Sequence, residues 1–225
     1  MLSIVVPVLN EAAEIETTLQ ALAPLRTRGC EVIVVDGGSA DDTLALAKSL
    51  ADRTIAAPRG RASQMNAGGA TAKGDVLLFL HADTRLPENA DALVIDALSR
   101  SRRAWGRFDV RFTKGALPLI AWTMNVRSRL TGIATGDQAM FVTRKAFESV
   151  GGFPEIALME DIALSARLKR ISRSACVSAR VTTSPRRWQK HGTIRTILLM
   201  WRLRFAYFFG APPEALARAY RHAEN

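Results

Sequence analysis

The chain has 225 residues, 48% hydrophobic and 23% charged, which suits one core-bearing domain with at most a C-terminal appendage and excludes wholesale disorder or an integral membrane protein. Its formal net charge is +10. Lys and Arg crowd the stretch from Arg167 to Arg204, so an anionic partner is expected, be it nucleic acid, an anionic membrane surface or a phosphorylated substrate.

Ser3 to Val8 is apolar and β-branched and reads as a first strand; without a basic n-region and cut by Pro7, it does not read as a signal peptide. Glu11 to Leu25 places Ile15, Leu19, Leu22 and Leu25 at helical spacing. Glu31 to Val35 is a buried strand, and Asp41 to Ala51 a helix with Ser39 or Asp41 as N-cap. Thr54 to Ala56 predicts a short strand, Arg61 to Ala72 a helix rich in small residues, and Asp75 to Leu80 a strongly apolar strand. Ala90 to Ser101 reads as a helix, Trp105 to Phe112 as a strand and Leu117 to Leu130 as a helix. Gln138 to Thr143 predicts a strand, Lys145 to Val150 a short helix ended by Gly151-Gly152, and Glu160 to Lys169 a helix. Gly192 to Phe209 is apolar and aromatic but interrupted by Arg195, Arg202 and Arg204, short of the roughly 20 mainly apolar residues that a membrane span needs.

Strands alternating with helices are the signature of an α/β fold, a single Rossmann-like domain with a mostly parallel central sheet flanked by helices and a C-terminal basic and aromatic helical tail. In such sheets ligands bind beyond the carboxyl ends of the strands. Those ends are Pro7-Val8-Leu9-Asn10-Glu11, Asp36-Gly37-Gly38-Ser39 and His81-Ala82-Asp83, three polar segments converging on one crevice. Cys30 and Cys176 are far apart, with no CxxC spacing and no His cluster. A disulfide framework or zinc site is therefore disfavoured, and a reducing compartment is expected.

Asp36-Gly37-Gly38-Ser39 allows close approach by a ligand, or is simply a strand-to-helix turn; it is not the GxGxxG of a dinucleotide fold, which disfavours hydride transfer. Asp83, with His81, could hold Mg²⁺ or Mn²⁺ together with diphosphate oxygens. Alternatively Asp83 caps the loop before Leu86-Pro87 and His81 is a satisfied, half-buried side chain. Glu160-Asp161 either favours a helix N-terminus or supplies a general base for an acceptor hydroxyl.

Together these segments resemble the family-2 glycosyltransferases of the GT-A fold over almost the whole chain. The matching stretches are Ile4 to Glu11, Val34 to Thr43, Gly60-Arg61 with Asn66-Ala67-Gly68, Gly74-Asp75 through Asp83, and Gly151 to Glu155 leading to Glu160-Asp161. The resemblance implies a nucleotide-sugar donor, UDP-linked in the commonest case, bound around Pro7, Asn10, Glu11, Asp36, Gly37, Arg61, Asn66 and Ala82. It implies a divalent Mn²⁺ or Mg²⁺ at Asp83, and Asp161 as the base of a single displacement that inverts the anomeric carbon. His81 stands where relatives usually carry Asp, and Gly37 where many carry a second acid. Gly136-Asp137-Gln138 falls in the acceptor region, so Asp137, Gln138 and Glu160 are expected to contact the acceptor, a small molecule or a lipid-linked one.

Arg186-Arg187-Trp188-Gln189-Lys190-His191 resembles a loop that closes over the substrates, with the cations on the diphosphate, Trp188 stacked on a sugar and His191 completing the metal shell. The alternative is a solvated basic loop. The pattern is also similar to a small bacterial subgroup linked to arsenosugar biosynthesis, a substrate the residues themselves do not indicate. The expected division is a GT-A domain over 1–190, its donor half over roughly 1–100 and its acceptor half over 101–190, with a tail over 191–225. Trp201, Phe205, Tyr207, Phe208 and Phe209 among arginines could lie in a membrane interface, or pack on the core or against a second subunit in a homodimer. The expected location is cytoplasmic, with at most peripheral attachment at the inner membrane face. Two rival readings are a nucleotide-binding or nucleotidyltransferase protein and a nucleic-acid-binding module. The first would show a Gly-rich basic loop after the first strand; the second is opposed by the acidic strand ends.

Overall fold

The computed structural model describes residues 1–113, 118–185 and 192–224. In chain order the elements are β1 (Leu2–Val8), α1 (Ala12–Thr27), β2 (Glu31–Asp36), α2 (Thr43–Lys48), β3 (Arg53–Ala56), α3 (Arg61–Thr71), β4 (Val76–Phe79), β5 (Thr84–Arg85) and α4 (Ala90–Ser101). The second half adds β6 (Trp105–Phe112), α5 (Pro118–Thr131), a 3₁₀ turn (Gly136–Gln138), β7 (Phe141–Thr143), α6 (Arg144–Ser149), α7 (Glu160–Leu168), β8 (Ala175–Thr183), α8 (Thr193–Phe208) and α9 (Pro213–Glu224).

The strands form one sheet in the order β3-β2-β1-β4-β7-β6-β8-β5. Neighbours β3-β2-β1-β4 and the β6-β8 pair are parallel, while β7 runs antiparallel to both β4 and β6, and β5 to β8. Strand side chains alternate between faces, and here both faces are covered. Ile4, Val6 and Val8 join Ile15, Leu19, Leu22 and Leu25 of α1 on one side. Val5, Ile33, Val35, Leu77 and Phe79 join Ala62 and Met65 of α3, Phe147 of α6 and Leu164 and Leu168 of α7 on the other. Helix α3 lies so close that a Cβ on Gly68 would fall 2.3 Å from Val5 Cγ1, which explains its small residues.

The structure corrects several sequence expectations. Helix α2 starts at Thr43 because Asp41 accepts the Thr43 N–H at 3.1 Å and the Ala12 N–H at 3.2 Å. Neither Ser39 nor Asp41 caps it; the N-cap is Asp42, without a side-chain bond. The strand expected from Gln138 begins only at Phe141, since Gly136–Gln138 form the 3₁₀ turn and Ala139 takes a left-handed φ of 44°. Strands β5 and β8 were not foreseen. Helices α8 and α9 pack on each other through Leu203 and Leu216 and close over Met159. Among the described residues no helix is long and apolar enough to cross a membrane.

Candidate active site

The C-terminal ends of β1 and β2 lie in register, Val8 beside Asp36, and short hydrogen bonds hold the loops that follow them. The buried Asp36 carboxylate accepts from the Gly38 N–H at 3.1 Å, the Ser39 N–H at 3.1 Å and the Ser39 hydroxyl at 2.5 Å. Ser39 Oγ in turn accepts the Asn10 N–H at 2.9 Å, and Asn10 Oδ1 accepts the Ala40 N–H at 2.8 Å. Asn10 sits at φ 55°, a conformation asparagine tolerates better than most residues. Below them Gln64, 3% exposed, donates its amide to Val8 O at 2.7 Å and Val35 O at 2.8 Å, and Gly37 packs against it. The structure thus places Pro7 and Asp36 at the ends of β1 and β2, and Asn10, Glu11 and Gly37 on the two stitched loops that follow. Gln64 was missed; its signal was a polar residue on the small-residue face of α3.

A cleft next to these loops is walled by Arg61, His81, Glu160 and Asp161 and floored by Met65, Phe79, Met140 and Phe153, with Gly136 at its edge. Phe79 and Phe153 meet edge to face at 4.8 Å. Phe153 is pinned by Asn66, whose Nδ2 donates to its carbonyl at 2.9 Å and whose Oδ1 accepts its N–H at 2.8 Å. Asn66 therefore shapes the floor from behind rather than lining it. Ala82 is also turned into the core, with its carbonyl accepting from the Thr18 hydroxyl. Gln138 is fully buried: its Oε1 accepts the Thr135 N–H at 3.2 Å and its Nε2 donates to Asn125 Oδ1 at 3.4 Å. The cleft brings together Arg61, His81, Glu160 and Asp161, and leaves Asn66, Ala82 and Gln138 outside its lining.

Asp161 opens α7. Its Oδ1 accepts the Ile162 N–H at 2.7 Å and its Oδ2 the Gly136 N–H at 2.9 Å. The preceding Met159 is buried at φ 74°, an uncommon conformation for a non-glycine residue, and the α8–α9 cluster covers it. The C-terminal helices therefore brace the turn that presents both acids. Burial raises the Glu160 carboxyl above its ordinary pKa and the neighbouring Asp161 charge raises it further, with Arg61 opposing. For Arg61 desolvation works against the charge, but Glu160, Asp137 and Asp161 outweigh it and hold the guanidinium above its ordinary pKa.

His81 Nδ1 lies 3.4 Å from Asp137 Oδ1, and its ring rests on Gly136. The Asp83 carboxylate receives a long 3.3 Å bond from the Thr84 hydroxyl, and its backbone carbonyl accepts the Ser184 N–H at 3.2 Å. Among the described residues no group of three or more His, Cys, Asp and Glu side chains could hold a metal unaided. A lightly engaged carboxylate suits a hard cation shared with substrate phosphates, the usual arrangement for Mg²⁺. Trp188 and His191, with the rest of the basic loop, lie outside the described residues.

This architecture is the GT-A fold. It superposes on the mannosyltransferase PcManGT from Pyrobaculum calidifontis in complex with GDP-Man and Mn²⁺, with a TM-score of 0.70 at 19% identity, over 99% of this chain and 69% of that one. It also superposes on S. aureus TarS 1–349 in complex with UDP-GlcNAc, with a TM-score of 0.66 at 16% identity, over 81% of this chain and 58% of that one. Residues 3–149 match the glycosyl transferase family 2 pattern, and the chain belongs to that family. Among curated proteins it is 40% identical over 100 residues to the PGL/p-HBAD biosynthesis glycosyltransferase of Mycobacterium tuberculosis, a match spanning 41% of this chain and 39% of that relative's length.

Proposed function

We propose that this chain transfers a glycosyl group from a nucleoside-diphosphate sugar, a UDP-sugar as the expected donor, to an acceptor hydroxyl with inversion at the anomeric carbon. The observation that carries this reading is Asp161, a carboxylate at the cleft wall whose two oxygens are aimed by the Ile162 and Gly136 N–H groups. Held this way it takes the proton from the attacking hydroxyl as a general base. The Asp36 and Asn10 loops receive the nucleoside, and Arg61 meets the diphosphate, where its charge is favoured by the acids around it. Asp83 would hold Mn²⁺ or Mg²⁺, and a cation held there would supply positive charge to offset the departing diphosphate. His81 positions Asp137 on the acceptor side.

Calorimetric titration with UDP, GDP and their sugar conjugates, with and without Mn²⁺, tests this reading. Metal-dependent binding that Asp83→Ala abolishes is expected. A folded protein that binds no nucleotide under either condition removes the reading, and tight binding without sugar turnover favours a nucleotide-binding protein instead.

The tail supports a peripheral membrane contact as part of this function. Ile194, Leu198, Trp201, Phe205 and Phe208 are exposed large hydrophobics on α8, spaced four and three residues apart so that they form one stripe. The exposed Arg195 and Arg202 lie beside it. An apolar stripe edged by arginines fits the interface of an anionic bilayer, which would bring a lipid-linked acceptor to the cleft.

A further inference from the structure

Arg127 lies on α5 with its Nε and Nη2 shielded from solvent and, among the described residues, without a hydrogen-bond partner. Segments 114–117 and 186–191 contain no acidic residue, so neither supplies a side-chain carboxylate. Among the described residues the charged groups within its electrostatic reach are Arg204 of α8, Asp161 and Arg107 of β6.

The acids in this region are already engaged. Asp109 is paired with Arg107 and, at 2.5 Å, with Arg129, and Arg107 Nη2 also donates to Asn125 O at 3.1 Å. Both Asp161 oxygens accept backbone N–H groups. Among the described residues Arg127 and Arg204 are therefore two neighbouring cations that form no ion pair, and Asp161 is the one acid whose charge favours Arg127. Burial pulls Arg127 down to about 10, Arg204 adding to this and Asp161 opposing it, so the guanidinium is still charged at neutral pH. Two shielded guanidinium nitrogens without hydrogen-bond partners on a partly buried arginine are costly, and replacing such a group with an apolar one of similar size is often stabilising. A planar fork of donors is suited to carboxylate and phosphate oxygens.

We propose that Arg127, with Arg204 beside it, forms a subsite for an oxyanion carried by the acceptor, a phosphate or carboxylate on the same molecule as the attacking hydroxyl. The subsite rests on the reading of Asp161 as the base for that hydroxyl. The donor-side residues Pro7, Asp36 and Asp83 follow or end β1, β2 and β4, whereas Arg127 belongs to α5, which packs on β6. The acceptor class is thus an anionic hydroxy compound rather than a neutral sugar.

The test titrates inorganic sulfate, at constant ionic strength, into the full chain with and without saturating UDP and Mn²⁺. The wild type is expected to bind sulfate without competition from UDP. Arg127→Met is expected to bind sulfate at least tenfold more weakly, to keep its UDP affinity, and to melt no lower than wild type in sulfate-free buffer. Arg204→Gln, at a partly exposed position, is expected to weaken sulfate several-fold and serves if Arg127→Met does not fold. Equal sulfate affinity in the variants, or displacement of sulfate by UDP, overturns the subsite. Sulfate binding that depends on Arg127 in a protein that binds no nucleotide would keep the anion site and remove the transferase reading instead.

Discussion

The Gly136 N–H donates to Oδ2 of Asp161 at 2.9 Å, and the same glycine carries the His81 ring so closely that a Cβ would fall 2.3 Å from Nε2. One residue therefore couples the His81-Ala82-Asp83 turn to the proposed base. Gly136→Ala must move the imidazole or the 3₁₀ turn. Such overpacking costs about 1–3 kcal/mol, read as a lowered melting temperature. Turnover is expected to fall at least tenfold with little change in donor affinity, because the displaced group is the base and not the nucleotide loops. Wild-type kcat in this variant would show that the contact does not position Asp161.

Asp161 and Glu160 are adjacent, and their roles separate by substitution. Asp161→Asn keeps the shape but removes the proton acceptor, and a positioned base is worth about 10²–10⁴ in rate. That loss is expected in kcat, with UDP-sugar affinity preserved. Glu160→Gln is expected to cost far less. Should Glu160→Gln be the inactive variant and Asp161→Asn the active one, the base is Glu160.

Glu160 also predicts a pH dependence of stability. Its carboxyl is raised by burial and by the Asp161 charge, with Arg61 opposing, so the folded state holds this proton more tightly than the unfolded chain. The stabilisation is fully present below the ordinary glutamate pKa and is lost as pH rises through the raised folded value. Glu160→Gln removes the titration. Urea unfolding of both proteins from mildly acidic to neutral pH should show the variant's advantage growing as pH rises and levelling above the folded pKa. A constant difference across that range would mean that Glu160 titrates normally.

The first half of this fold was legible because its elements carry their own periodicity. Ile15, Leu19, Leu22 and Leu25 were readable as one face, and all are buried in α1. β8 was not, because its two valines, Val177 and Val181, are diluted by Ala, Ser, Thr and Arg180, and its place is set by pairing with β6 across a register shift at Phe108/Asp109. In the site, Arg61, His81, Glu160 and Asp161 were singled out from motifs and converge on the cleft. The inward turn of Gln138 was hidden because spacing says nothing about which way a turn residue points. Arg107 and Asp109 carried a usable signal, since residues two apart on a strand share a face, and they form an ion pair there.

The α8 stripe makes a prediction about where the proposed transferase works. Trp201 and Phe205 are 66% and 67% exposed while Leu203 between them is 2% exposed, so charge on the outer face should leave the packed face intact. Trp201→Glu/Phe205→Glu is therefore expected to melt with the wild type and to retain turnover on a soluble donor. In flotation with vesicles of neutral lipid, or of neutral lipid plus phosphatidylglycerol, the wild type should float with the anionic vesicles and be released by salt, because the arginines add a screened attraction to apolar burial. The double variant should stay unbound. If the wild type ignores both vesicle types but sediments as a dimer that the double variant converts to monomer, the stripe is a subunit contact, and the acceptor need not be lipid-linked.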